Sequence, residues 1–348
     1  MKNKNKIDTP KELMLSFAEC PLKYRVDVSS ELCITLNHPE TYNWFYSSYL
    51  QISWEKSKNR VDLYGVNPYI KHKRNYKINN GNIINFVKSL LVKGYYVYVG
   101  IDDFYVPFRT PHNKMHNIHP SVVIGYNDNL QIFKIAGFDN KNIYRITDIL
   151  YAEFFDAYNS TYYENNKLRT SELRTINYKK WRNYKFNKNV LKKILIDYIE
   201  SENSYYKVIY SNIFFKTYRY IARKVFSKFD NNKEYGMKFY NNFIEYIHNL
   251  NGYSNFDMAT FQIFCEHKKL ICSRIEYFIE NNYIINDQEL YCNCKNIKHK
   301  AVVLKNTCIK LVLTSTELDK TAKQKLVALI EEIKLLEENI YIRLIELL

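Results

Sequence analysis

Three β-type runs lie close together in the first half of the chain, and past residue 189 the apolar residues recur at a helical period instead. This change of period is what most limits the fold. YYVYVGI (residues 95–101), SVVIGY (121–126) and LQIFKIAGF (130–138) are rich in β-branched and aromatic residues. The last two are joined across Asn127-Asp128-Asn129, the composition of a hairpin turn. Ahead of them GNIINFVKSLLV (81–92) has helical spacing and Gly94 can close that helix, so 81–101 reads as helix then strand. Thr147 is placed to cap a further helix through ILYAEFFDAY (149–158).

In the second half VLKKILIDYIES (190–201), YGMKFYNNFIEYIHNL (235–250), FQIFCEHKKLICSRIEYFIENN (261–282) and the run 316–348 all repeat apolar residues at i, i+3, i+4. Between the halves SELRTINYKKWRNYKFNKN (171–189) is polar and basic and reads as a linker. The expectation is an α/β (α+β) domain over residues 1–170 and a mostly helical domain over 190–348. With 348 residues, 46% of them apolar, the chain can bury a real core.

The formal charge of +15 favours acidic partners. The interleaved basic and aromatic residues of NYKKWRNYKFNKN (177–189) raise RNA binding. However, abundant Asn, Lys, Ile and Tyr, with 33 Tyr, are what AT-rich codons specify, and a solvated linker accounts for that segment. Nucleic acid is not an expected partner. Seven cysteines, an odd number without a dense framework, point to reduced thiols and a cytoplasmic protein. No uncharged apolar window approaches the roughly 18 residues a membrane span needs, and no leader peptide is recognisable, so no membrane association is expected.

His112, His116 and His119 fall within eight residues of one another. A metal would need three or four convergent ligands, and these come from a single loop with no cysteine beside them. Cys265, His267, Cys272, Cys292, Cys294 and His299 include no C-x-x-C pair, and Cys265 and Cys272 sit on one helical face as core residues do. No metal is expected at either place. His112, and with it His116, reads as a solvated loop histidine.

His119 differs. If the turn is the three residues 127–129, Tyr126 pairs with Leu130, His119 lies opposite Gly137, and Asp139 falls on the same face. Such diagonal neighbours are about 7–8 Å apart, within reach of an imidazole–carboxylate hydrogen bond, and Gly137 leaves room for the ring. A two-residue turn would separate the faces. The accompanying nucleophile would be Cys33 or Cys20. Cys33 in SSELC follows capping serines, Ser29 or Ser30, in a first helical turn, where the dipole favours a thiolate; Cys20 precedes Pro21 with no such helix start. Either thiol is otherwise a small buried hydrophobe.

These residues in this order, together with NWFYSSYLQISW (43–54), YYVYVGIDDFYVP (95–107), HNIHPSVVIGYND (116–128), IAGFD (135–139) and AEFFDAY (152–158), resemble the papain-like, C39-like proteins of the butirosin biosynthesis protein H type, which accompany thiotemplated peptide assembly lines. In the helical half YGMKFY (235–240) and FDMATFQIFCEHKKLICSRIEYF (256–278) extend the likeness. The resemblance implies a papain-like cysteine-protease fold with an appended helical domain, and a catalytic triad of Cys33, His119 and Asp139. It implies a cysteine-dependent acyltransferase (amide synthase) that moves an acyl group from the phosphopantetheine thioester of an acyl or peptidyl carrier protein to a small amine, as in polythioamide (closthioamide) assembly. No cofactor of the protein's own is implied. A cysteine peptidase or thioesterase with the same triad, and a non-catalytic binding module, are the alternatives. There are two departures. The position six before Cys33, Gln in papain-like enzymes, is Asp27, which when ionised cannot donate to an oxyanion, and Pro39 shortens the helix after Cys33.

Overall fold

The structure is a computed structural model that describes residues 10–65, 67–76, 82–164, 167–180, 184–204, 232–250, 252, 256–314 and 319–348. Gly81 and residues 181–183 and 316–318, which belong to the expected helices and linker, lie outside the described residues. In chain order the elements are β1 (Glu12–Met14), α1 (Val26–Thr35), α2 (Tyr42–Ser48), β2 (Gln51–Glu55), β3 (Arg60–Tyr64), β4 (Ile70–Tyr76), α3 (Ile83–Val92), β5 (Tyr96–Asp102), β6 (Ile118–Asn127), β7 (Ile132–Phe138), β8 (Tyr144–Leu150) and α4 (Tyr151–Asn159). Then follow β9 (Thr161–Glu164), β10 (Lys167–Thr170), β11 (Glu172–Tyr178), α5 (Lys188–Ile199), β12 (Lys233–Tyr235), α6 (Phe239–Asn249), α7 (Met258–Glu280), α8 (Gln288–Thr314) and α9 (Lys320–Leu347). The fold is mixed α and β with antiparallel sheets. Among the described residues no helix is long and apolar enough to cross a membrane.

Two compact units form, Met1–Pro39 with Asn67–Arg182, and Glu40–Val66 with Asn183–Leu348. The expected division into 1–170 and 190–348 is corrected in one respect, since residues 40–66 group with the helical unit.

The first unit is built on a sheet in the order β4-β11-β5-β6-β7-β8, with β1 pairing onto β6. Strand alternation sends Val97, Val99, Ile101, Val123 and Ile135 to one face, where Ile83, Val87 and Leu91 of α3 and Phe154 and Ala157 of α4 close a core over them. The opposite face carries α1: Ser30 Oγ and the Tyr144 hydroxyl are 2.6 Å apart, and Tyr144 pairs with Phe138, out of phase with Ile135 and Gly137.

The stretch 171–189 is not simply a linker, because Glu172–Tyr178 forms β11, between β4 and β5. Its polar look hides buried Leu173, Thr175 and Ile176, and the Arg174 guanidinium lies 4.0 Å from the centre of the Tyr98 ring, a cation–π contact that lets an arginine sit inside a sheet. Thr147 lies within β8 and does not cap α4; instead Glu153 Oε2 accepts from the backbone N–H of Leu150 at 3.0 Å.

In the second unit the order β12-β2-β3 forms a small sheet. Residues 40–66 are held there by side chains of α7, which satisfy carbonyls left over at the end of α2. Arg274 donates from Nε to the Tyr46 carbonyl and from Nη2 to the Tyr49 carbonyl, each at 2.6 Å, and His267 Nε2 is 2.9 Å from the Leu50 carbonyl. Beside them Glu337 of α9, fully buried, accepts from Lys268 Nζ at 2.6 Å and from the Tyr198 hydroxyl at 3.0 Å, which ties α5, α7 and α9 together.

Candidate functional site

The expected triad does not assemble. The β6–β7 connection has four residues, Asn127 pairs with Ile132, and a register shift lies between Val123 and Gly125, so Ser121 rather than His119 faces Gly137. The space over Gly137 is filled by Arg109, whose Nη2 donates to Ser121 Oγ at 2.8 Å. Asp139 has left the strand, and its carboxylate serves its own turn: Oδ1 accepts from the N–H groups of Lys141 and Ile143, both at 2.8 Å, while Oδ2 pairs with Arg145 at 2.5 Å. Burial would raise the Asp139 pKa, but these donors outweigh it and hold it below the ordinary value. His119 Nδ1 is buried and has no hydrogen-bond partner among the described residues.

Cys33 is displaced as well. α1 begins at Val26, ahead of Ser29 and Ser30, so Cys33 falls in the last turn and not the first. Asp27 occupies the helix tip, bound to Arg25 and to the Val28 N–H. His119, paired with Ile101, shares the α3/α4 face of the sheet, whereas α1 lies on the other. The buried Cys33 sulfur neighbours Tyr96, whose hydroxyl is pushed up to about 12 by burial and by that sulfur. Cys20 is buried too, its thiol 3.1 Å from the Leu22 carbonyl.

An imidazole–carboxylate pair is present nonetheless, one strand pair away. His116 Nδ1 lies 2.6 Å from Oδ2 of Asp102, the last residue of β5. An ionised carboxylate only accepts, so Nδ1 carries the proton of this hydrogen bond. Asp102 is fully buried, and the His116 side chain is 42% exposed. Ser160 Oγ donates to Oδ2 at 2.6 Å, and the N–H groups of Asn117 and Phe104 reach Oδ1 at 2.9 and 3.1 Å. Burial raises the Asp102 pKa, but these four donors more than offset it and keep the carboxylate ionised. Phe104 stacks on the His116 ring with centroids 4.5 Å apart. His112 Nδ1 is 3.0 Å from the Phe104 carbonyl, so its part is to brace the loop.

Behind the pair is a buried charged cluster. Arg109 Nε and Asp103 Oδ1 are 3.6 Å apart, and Asn117 Nδ2 donates to Asp103 Oδ2 at 3.2 Å. Burial lifts Asp103 to about 6 despite Arg109. Burial, with the Arg109 charge added, lowers His119 to about 4, so His119 is neutral near neutrality.

Asp102 and Ser160 give no local signal of their own. The IDD triplet at the end of a strand, followed by histidines at the start of the next, is the one pattern that points to Asp102, through the antiparallel pairing Asp102↔Ile118. No protein-family model matches the chain, and no curated protein sequence matches it.

Proposed function

We propose that the first unit is a papain-like scaffold that catalyses acyl transfer by general base catalysis from His116 and Asp102, without a cysteine nucleophile. The observation that carries this reading is the 2.6 Å contact between a half-exposed imidazole and a fully buried, four-fold hydrogen-bonded carboxylate. A carboxylate on Nδ1 fixes the tautomer and orients the ring, so that Nε2 is the atom presented to a substrate proton. An amine placed at the exposed edge of the ring gives its proton to Nε2 as its nitrogen attacks the carbonyl of a carrier-bound thioester. The C–N bond forms, the C–S bond breaks, and the imidazolium returns the proton to the departing phosphopantetheine thiolate. Amide and free thiol leave, and the pair is restored. The charge of +15 suits an acidic carrier as donor.

Intact-mass analysis during turnover of an acyl-pantetheine thioester with a diamine tests this. Amide should accumulate with no acyl group on the protein; an adduct on Cys33 or Cys20 would restore the cysteine-dependent route. A second reading, a non-catalytic binding module, is favoured by the place of Cys33 in the last turn of α1. It predicts that no amide forms with any thioester.

A further inference from the structure

We infer that the outer face of α8 is the docking surface for an acidic helical partner which, on the acyl-transfer reading above, is the carrier protein. From Leu290 to Thr314 this helix holds five lysines and no Asp or Glu. Its inner side, Leu290, Cys294, Ile297, Ala301, Leu304 and Cys308, is buried at the three- and four-residue spacing of a packed helix. The outer side has exposed Lys295, Lys298 and Lys310, interleaved with Val303, Ile309 and Leu313, which are 39, 37 and 79% exposed.

A merely solvated face accounts for lysines but not for three large apolar side chains within three turns, nor for the lack of any acid among them. The combination fits a partner that is acidic around a small apolar ridge, with charge guiding approach and the apolar residues holding the complex. Three other occupants fit worse. A membrane-surface helix would carry Trp or Phe among its apolar residues, and residues 290–314 have neither. Single-stranded RNA would use aromatic platforms and arginine, and this helix has one tyrosine and no arginine. A second copy in an isologous contact would set lysines against lysines.

The test is calorimetric binding of a holo-acyl carrier protein of net negative charge to the full chain, at low and high salt. The triple variant Lys295→Glu/Lys298→Glu/Lys310→Glu should bind at least tenfold more weakly and lose its salt dependence, with helicity unchanged. Ile309→Ser/Leu313→Ser should weaken binding while the salt dependence stays, and Lys141→Glu, exposed on the first unit, should change nothing. Turnover of free acyl-pantetheine should be unaffected in the triple variant. If the wild type fails to turn over acyl-pantetheine yet binds the carrier through these lysines, docking stands and the catalytic reading falls. Failure of the wild type to bind the carrier, unchanged binding by the triple variant, or preference for anionic phosphatidylglycerol vesicles or single-stranded RNA would overturn the inference.

Discussion

Asp102 accepts from four groups with two oxygens, so Asp102→Asn must turn an NH2 toward at least one of its former donors. The expected cost is about 1–3 kcal/mol of stability, read by denaturant unfolding. Amide formation should fall by about 10²–10⁴-fold, because the ring loses the carboxylate that fixes its tautomer and orientation. Ser160→Ala removes one neutral donor and leaves the carboxylate three, so the rate should drop far less. His116→Gln separates the two roles: the side chain is 42% exposed, so stability should barely change while the rate falls as in Asp102→Asn. Equal losses of stability and rate across these variants would mean that the pair only braces its loop.

At the scale of elements, Glu337 is the buried charge on which α5, α7 and α9 converge. Glu337→Gln strands Lys268 without a counter-charge and should cost about 3–5 kcal/mol, visible as a large drop in Tm. Replacing both partners, Glu337→Leu with Lys268→Met, should recover most of that loss, since desolvation of the pair offsets much of its attraction.

Elements such as α3, β5, β7 and α4 were legible because a continuous apolar period marks them. β11 was not, since Arg174 sits in it and is made compatible by a ring on the neighbouring strand, a contact that no local pattern shows. The expected triad failed for two further reasons. One is a turn that closes one residue later than expected, at Asn127 and not Tyr126; its extra residue and the bulge behind it cancel in register, so Ser121 lies opposite Gly137. The other is a helix that starts at Val26 without a capping side chain, three residues ahead of Ser29. The chemistry looked for, a histidine on a carboxylate near the start of β6, is present, but its partner comes from β5 across a fifteen-residue loop whose path turn rules do not give.

For the whole molecule, acid stability should reflect two neutral histidines, one in each unit, part-buried His119 and fully buried His267. Burial and Arg109 lower His119 to about 4, and burial and Lys268 lower His267 to about 3, each from an ordinary 6.5. Above pH 6.5 neither state binds these protons. Below it the unfolded chain does and the native one does not, so stability falls with pH and levels off only near the native values. Asp103 acts in the opposite sense, because a native value near 6 against 3.8 unfolded means that its protonation favours the fold as pH drops through 6. His119→Gln should therefore flatten the fall between pH 6.5 and 4, and denaturant midpoints at stepped pH would show an unchanged slope if His119 were in fact solvated.

On the proposed mechanism the proton is moved by His116 on Asp102 and no thiol takes part. The rate of amide formation from acyl-pantetheine and a diamine by Cys20→Ser/Cys33→Ser, beside that of His116→Gln, tests this. The double thiol variant should work within a few-fold of wild type while His116→Gln loses about 10²-fold or more. Loss of turnover in the thiol variant with activity kept in His116→Gln would contradict it.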